Sequence, residues 1–212
     1  MDTRERLAFG LAGFGQNLLL NVVNLYLLVY LVEGVGFSTA MIATLTVVLT
    51  AARIWDAVND LVLGVVIDRT RTRWGRFRPY IVFSALPVAA LSVALFAVPE
   101  TLPPGWQVAY VGAIYLLWDV AYTLCDVPYW SLTNTIATDN RSRTALVSIA
   151  RALGMLALAL VTLFGVPVAR ALGGGDAGAG WLPTAVLAAA IGMGLFTLAF
   201  FGTREKVVPG GR

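Results

Sequence analysis

The chain has 212 residues, 58% of them hydrophobic and 13% charged, with a mean hydropathy of +0.79. That is more apolar surface than a soluble domain of this length can bury, so lipid is the expected solvent and a soluble globular protein is excluded. The formal charge of +3 and pI near 9.3 follow from arginine-rich loops on one side of a membrane and require no nucleic acid.

Six apolar runs, at about 7–32, 39–67, 80–98, 107–137, 144–171 and 181–201, are each long enough to cross roughly 30 Å of hydrocarbon. They predict an all-α membrane protein, a single six-helix transmembrane bundle over residues 1–212. The first run is too long for a signal-peptide core and lacks a small-residue cleavage pattern, so it is expected to remain as a mature helix. Asn17, Asn21 and Asn24 share one of its faces, with Gln16 and Gly13 adjacent. Two readings stay open for that face: the lining of a water-filled cavity, or hydrogen bonds between helices.

The second run carries Arg53, Asp56 and Asp60 within about 60° of one helix face, with Asn59 beside them. An ionised residue at the bilayer centre costs about 2.5–3.5 kcal/mol, so such residues mark function by default. Carboxylates at i and i+4 repel each other, which raises one pKa or invites a cation between them. Asp56 and Asp60 are therefore the candidate ligands of a coupling Na⁺, or the carriers of a coupling H⁺. A salt bridge from Arg53 would explain one acid and leave the other. The following loop, 68–79, holds five arginines, and Gly75 and Pro79 among them suggest a structured turn.

On the fourth run Asp119, Thr123, Asp126 and Trp130 form another stripe, flanked by Tyr122 and interrupted by Pro128. An aromatic plate beside a carboxylate suits a sugar: the ring covers C–H faces while the acid accepts hydroxyl hydrogen bonds. Cys125, the single cysteine, has no disulfide partner. The fifth run carries one central charge, Arg151, whose expected counter-ion is Asp126 across a helix interface.

Of the 15 Lys and Arg residues, 12 lie in the N-terminus, the 68–79 and 138–143 loops and the C-terminal tail, all on one side of a six-span topology. The opposite loops, around Glu33, Glu100 and Asp176, carry only Arg170. Both termini are therefore expected in the cytoplasm, with the chain in the cell (inner) membrane. The sequence has no histidine, no metal-spaced cluster and no nucleophile paired with a base, so neither an enzyme nor a cofactor is expected.

The segment from Arg53 to Asp60, then Gly64, then Arg73-Trp74-Gly75-Arg76-Phe77-Arg78-Pro79, resembles the glycoside-pentoside-hexuronide:cation symporters, the melibiose permease-like branch of the major facilitator superfamily. The stretch Tyr122 to Leu132 matches that family's fourth helix, and Arg151 sits at its fifth-helix arginine. The resemblance implies a cation site at Asp56, Asn59, Asp60 and Thr123. It implies a sugar site at Asp126, Trp130 and Arg151, with Gln16, Asn17 and Tyr122 beside it. Arg53, Gly64, Arg73, Gly75, Arg76 and Arg78 take structural or gating parts.

Gln16 and Asn17 depart from the pattern: they stand where melibiose permease carries a Lys–Asp pair, so neutral amides replace a charged sugar contact. Asp119 stands where a small residue is expected. Family members have about twelve helices as two parallel six-helix repeats, and this chain stops after the sixth span. The expected function is symport of a sugar or similar polar solute with Na⁺ or H⁺, by alternating access. The expected partner is a second copy, forming a parallel homodimer. The alternatives are a non-transporting membrane subunit, or an N-terminal half that needs a different partner half.

Overall fold

The computed structural model describes residues 2–206, apart from the side chains at 53–58, 60 and 68. Among these residues every regular element is helical: α1 (Thr3–Val29), continued by a π-helical turn (Tyr30–Gly34), then α2 (Thr39–Arg69) and α3 (Arg78–Leu95). After these come α4 (Pro104–Ile136), α5 (Asn140–Leu172), α6 (Ala177–Phe196) and a short α7 (Leu198–Gly202). Five of the helical stretches are long and apolar enough to cross a membrane: Thr3–Gly34, α3, α4, α5 and Ala177–Gly202. That count is of the described residues. The sixth expected span falls on α2, which has 31 residues; its described apolar stretch is Thr39–Ala52, and the side chains at 53–58 lie outside the described residues.

Side chains just outside each apolar run set where the helices begin. Asp2 and Glu5 close a capping box on α1, Asp2 accepting from the Arg4 N–H and Glu5 from the Asp2 N–H at 3.3 Å. Ser38 caps α2, Asp139 caps α5 through the Ser142 N–H at 2.8 Å, and Asp176 caps α6 through the Gly178 N–H at 2.8 Å. The Ser142 N–H and hydroxyl, both donating to Asp139, hold that carboxyl below the usual carboxylate range.

The helix α3 has no cap of its own, and the C-terminal tail supplies one. The Glu205 carboxylate accepts the backbone N–H groups of Arg76 and Phe77 at 2.9 Å each, and of Arg78 at 3.2 Å. Gly75, at φ +109, lets the chain turn beneath that carboxylate, which a side chain there would displace. Arg78 in turn donates to the Phe200 carbonyl, and Lys206 reaches Glu5 at 2.6 Å. Glu205→Ala leaves three helix-terminal donors unpaired. It is expected to cost about 2 kcal/mol, read as a lowered unfolding midpoint that Glu205→Gln restores in part.

α1 packs against α5 and α6, α4 against α2 and α3, and α3 against α6. Relabelling α1–α3 as α4–α6 exchanges the α1–α5 pair with α4–α2 and the α1–α6 pair with α4–α3, an inverted relation between the two halves. Small residues make the tight contacts. The buried stripe of α5 is Leu146, Ala150, Gly154, Ala157, Val161, Gly165 and Ala169, and against it Tyr26 of α1 fills the space over Gly165 and donates to the Val161 carbonyl at 3.0 Å. The backbones of α1 and α6 meet at Gly15 and Gly192. Outward, Leu61, Leu86, Leu163, Phe164 and Ile191 are exposed, an apolar surface that only lipid or another bundle can cover.

Candidate functional site

Between α1 and α4 the link is made by long side chains. Tyr129 stacks on Phe9 with ring centroids 4.3 Å apart and donates to the Phe9 carbonyl at 2.9 Å. Its hydroxyl occupies the space a Cβ on Gly13 would need. One turn deeper, Gln16 is only 1% exposed and donates through Nε2 to Asp126 Oδ1 at 2.7 Å and to the Tyr122 hydroxyl at 3.2 Å. Trp130 Nε1 donates to the same carboxylate oxygen at 3.1 Å.

Tyr122, Asp126 and Trp130 follow at intervals of four on α4, so one helix face aligns a phenol, an acid and an indole. The stack continues on either side, with Trp118 on Tyr122 at 5.2 Å and Tyr129 edge-on to Trp130 at 5.2 Å. Trp118 is fixed in turn by its indole N–H on Ser92 Oγ at 2.8 Å. The cluster offers one carboxylate, a phenol and aromatic faces. The Gln16 Oε1 is buried with no hydrogen-bond partner among the described residues.

The expected cation site is brought together in part. Asn59 Nδ2 donates to Thr123 Oγ1 at 3.3 Å, and Thr123 donates to the Asp119 carbonyl at 3.2 Å. The side chains of Arg53, Asp56 and Asp60 lie outside the described residues. Asp119 is buried, at 8% exposure. Thr123 and Asp126 are three residues apart on α4, so the two groups of polar side chains share one helix and lie within about one turn of each other.

One expectation for the α5 face is corrected. Arg151 is exposed on α5 and forms no ion pair with Asp126; among the described residues the ion pair is Lys206–Glu5. Arg151 stands on the exposed part of α5, whereas the buried Gln16 reaches the carboxylate from α1 through its long side chain. Asn17 makes no hydrogen bond between helices among the described residues: its Nδ2 donates to the Gly13 carbonyl of its own helix at 2.8 Å, and its half-buried amide packs over Gly154. Asn21 is half-buried and Asn24 exposed. In the 68–79 loop, Arg73 stacks over Trp74 at 5.0 Å and Arg76 over Phe77 at 5.7 Å, while Arg78 is tied to Phe200. Gly64 faces open space.

Sequence reasoning missed Tyr129, which anchors the site to α1, and Glu205. Tyr129 stood in the quoted motif without a role, and nothing in the tail signals that its acid caps a helix through backbone N–H groups that begin 129 residues earlier, at Arg76.

Comparison with known proteins places the chain. The model of the MFS/sugar transport protein family matches residues 8–210. The isoprimeverose transporter of Lactiplantibacillus pentosus is 33% identical over 205 residues, covering 96% of this chain and 42% of its own length. The inner membrane symporter YicJ of Escherichia coli is 28% identical over 211 residues, covering 98% of this chain and 44% of its own. The putative glycoside/cation symporter YagG of the same organism is 29% identical, with 97% and 44% covered. The chain thus spans less than half the length of these relatives, and matches them over nearly all of its own. It belongs to the MFS/sugar transport protein family, among relatives that include glycoside/cation symporters.

Proposed function

We propose that this chain forms one half of a cation-coupled symporter for a sugar or similar polar solute, working by alternating access. The observation that carries the reading is the Gln16–Tyr122–Asp126–Trp130 cluster. It joins a carboxylate to aromatic faces in the interior of the helices and leaves a buried amide oxygen with no donor among the described residues. A sugar hydroxyl donates to such an oxygen and to a carboxylate, while an indole or phenol ring covers the C–H face of the pyranose. The Asn59–Thr123 contact supports a coupling-ion site with Asp56 and Asp60 on the adjacent α2 face. Since Thr123 and Asp126 share α4, occupation of one group of side chains can set the helix position that the other needs. The family needs no cofactor, because the coupling ion is itself a substrate.

The second six-helix unit of this reading is another copy of the chain, inserted in parallel with both termini in the cytoplasm. It would be related to the first by a two-fold along the membrane normal, as the two halves of longer family members are. The exposed Arg151 and Asn24 support the pairing, since a polar group facing lipid is costly and a facing bundle removes that cost.

Uptake of labelled mono- and disaccharides into proteoliposomes holding only this chain, under a Na⁺ or a pH gradient in turn, tests the reading. Sugar accumulation driven by one of the gradients is expected. Asp56→Asn and Asp60→Asn should each abolish gradient-driven accumulation while the protein stays folded, because the amide keeps the shape and loses the charge. Uphill transport persisting in both variants would remove the coupling site from this face.

A further inference from the structure

At the end of the bundle that carries the arginine-rich loop, α2, α3 and α4 leave a groove of ≈ 400 Å³, lined by Thr70, Thr72, Tyr80, Phe83, Ser84 and Leu124 among others. Its walls are almost entirely apolar and it is separate from the Asp126 cluster. It runs from the loop at Pro79 to Pro87, which is about 12 Å along α3. The hydroxyls at its mouth are already paired: Thr70 donates to the Val66 carbonyl at 3.0 Å and lies 2.6 Å from the Tyr80 hydroxyl, and Thr72 donates to the Gly75 carbonyl at 2.7 Å.

Arg71 stands between the two lining threonines, with Arg69 and Arg73 on either side, and all three side chains are exposed. None forms an ion pair with a described carboxylate. Trp74, 41% exposed and 6.3 Å from the Phe83 ring, stands at the rim where aromatic residues mark the membrane–water boundary. One turn inside the mouth, Ser84 is 5% exposed, and among the described residues its hydroxyl meets only the Cys125 thiol, a weak hydrogen-bond partner.

We infer that this groove holds one anionic phospholipid, its phosphate on Arg69, Arg71 and Arg73, its ester region at Ser84, and an acyl chain against Phe83, Pro87 and Leu124. The order of chemistry along the groove is that of the lipid itself: cations at the surface, a hydroxyl donor one turn below, then apolar side chains. A free phosphate would use the arginines alone; a zwitterionic lipid brings the same phosphate, but its own ammonium offsets the attraction of the arginines, so an anionic lipid gains most from the arginines and the apolar walls together.

Native mass spectrometry on the full chain, purified in neutral detergent and titrated with phosphatidylglycerol or with phosphatidylcholine of the same acyl chains, tests this. One phosphatidylglycerol per chain is expected to bind at least tenfold more tightly than phosphatidylcholine. The double variant Arg71→Gln/Arg73→Gln should weaken phosphatidylglycerol by roughly 25-fold and phosphatidylcholine by about threefold at most. Phe83 is 64% exposed, so Phe83→Ala keeps the packing of the bundle and should weaken both lipids by about fivefold. Inorganic phosphate should not displace the bound lipid. Equal affinity for the two lipids, displacement by phosphate, or a Phe83→Ala variant that binds both as the parent does would each overturn the assignment.

Discussion

Replacing Asp126 with Ala is expected to weaken sugar binding by about a hundredfold. The carboxylate accepts from Gln16 and Trp130, so its removal leaves a buried amide and an indole N–H without their acceptor as well as deleting the acid a sugar hydroxyl would meet. Hydrogen bonds to charged groups are worth roughly 1.5–3 kcal/mol, and a hundredfold is about 2.7 kcal/mol. Gln16→Leu should act through the same network, so the double variant should fall short of the summed single effects by about 1 kcal/mol or more. Arg151→Ala shares no partner with Asp126 and should combine with it additively. Calorimetry with the sugar that proteoliposomes accumulate gives these numbers, and unchanged affinity in Asp126→Ala would move the solute site away from α4.

A large effect on stability is expected at the crossing of α1 and α6. A Cβ on Gly15 would overlap the Gly192 carbonyl oxygen and come within 2.7 Å of Leu195 Cβ; one on Gly192 would come within 2.7 Å of the Gly15 carbonyl oxygen. Backbone atoms cannot rotate aside as a side chain does, so the two helices must part along their length. Gly15→Ala should therefore cost about 3 kcal/mol, at the upper end of overpacking effects. Gly194, on the same helix as Gly192, has nothing within 4 Å of an added Cβ. Gly194→Ala should be neutral, or stabilising by up to about 1 kcal/mol through helix propensity. Unfolding midpoints in one detergent compare them, and a Gly15→Ala protein as stable as Gly194→Ala would contradict the crossing.

Hydropathy makes the all-helical membrane character legible, because apolar runs of this length have no soluble alternative. Helix ends are less visible: α1 and α5 begin in polar residues at Asp2 and Asp139, which an apolar window does not register. The motif around Asp126 could be read because an acid deep in an apolar helix is costly wherever it lies. Its partner could not. Charge reasoning selects Arg151, the nearest opposite charge in the sequence's logic, whereas the contact that forms depends on which side chain is turned inward: Arg151 is exposed, and the buried Gln16 reaches Asp126 across a separation of 110 residues. Glu205 was hidden for a related reason. Its value lies in three backbone N–H groups, and backbone donors leave no mark in a sequence.

The contact of Lys206 with Glu5 has a consequence for how the bundle can be rebuilt. Glu5 lies in the first turn of α1, so residues near the two ends of the described chain meet at one end of the molecule, within a single side-chain reach. A linker of a few residues could join them. The turn between α5 and α6 lies at the far end of α6, where Gly174 and Gly175 both have positive φ and nothing packs against either. Opening the chain there would give a circular permutant with every helix contact retained and both new termini on the opposite face of the membrane, a rearrangement that adjacent ends and an uncrowded turn make accessible.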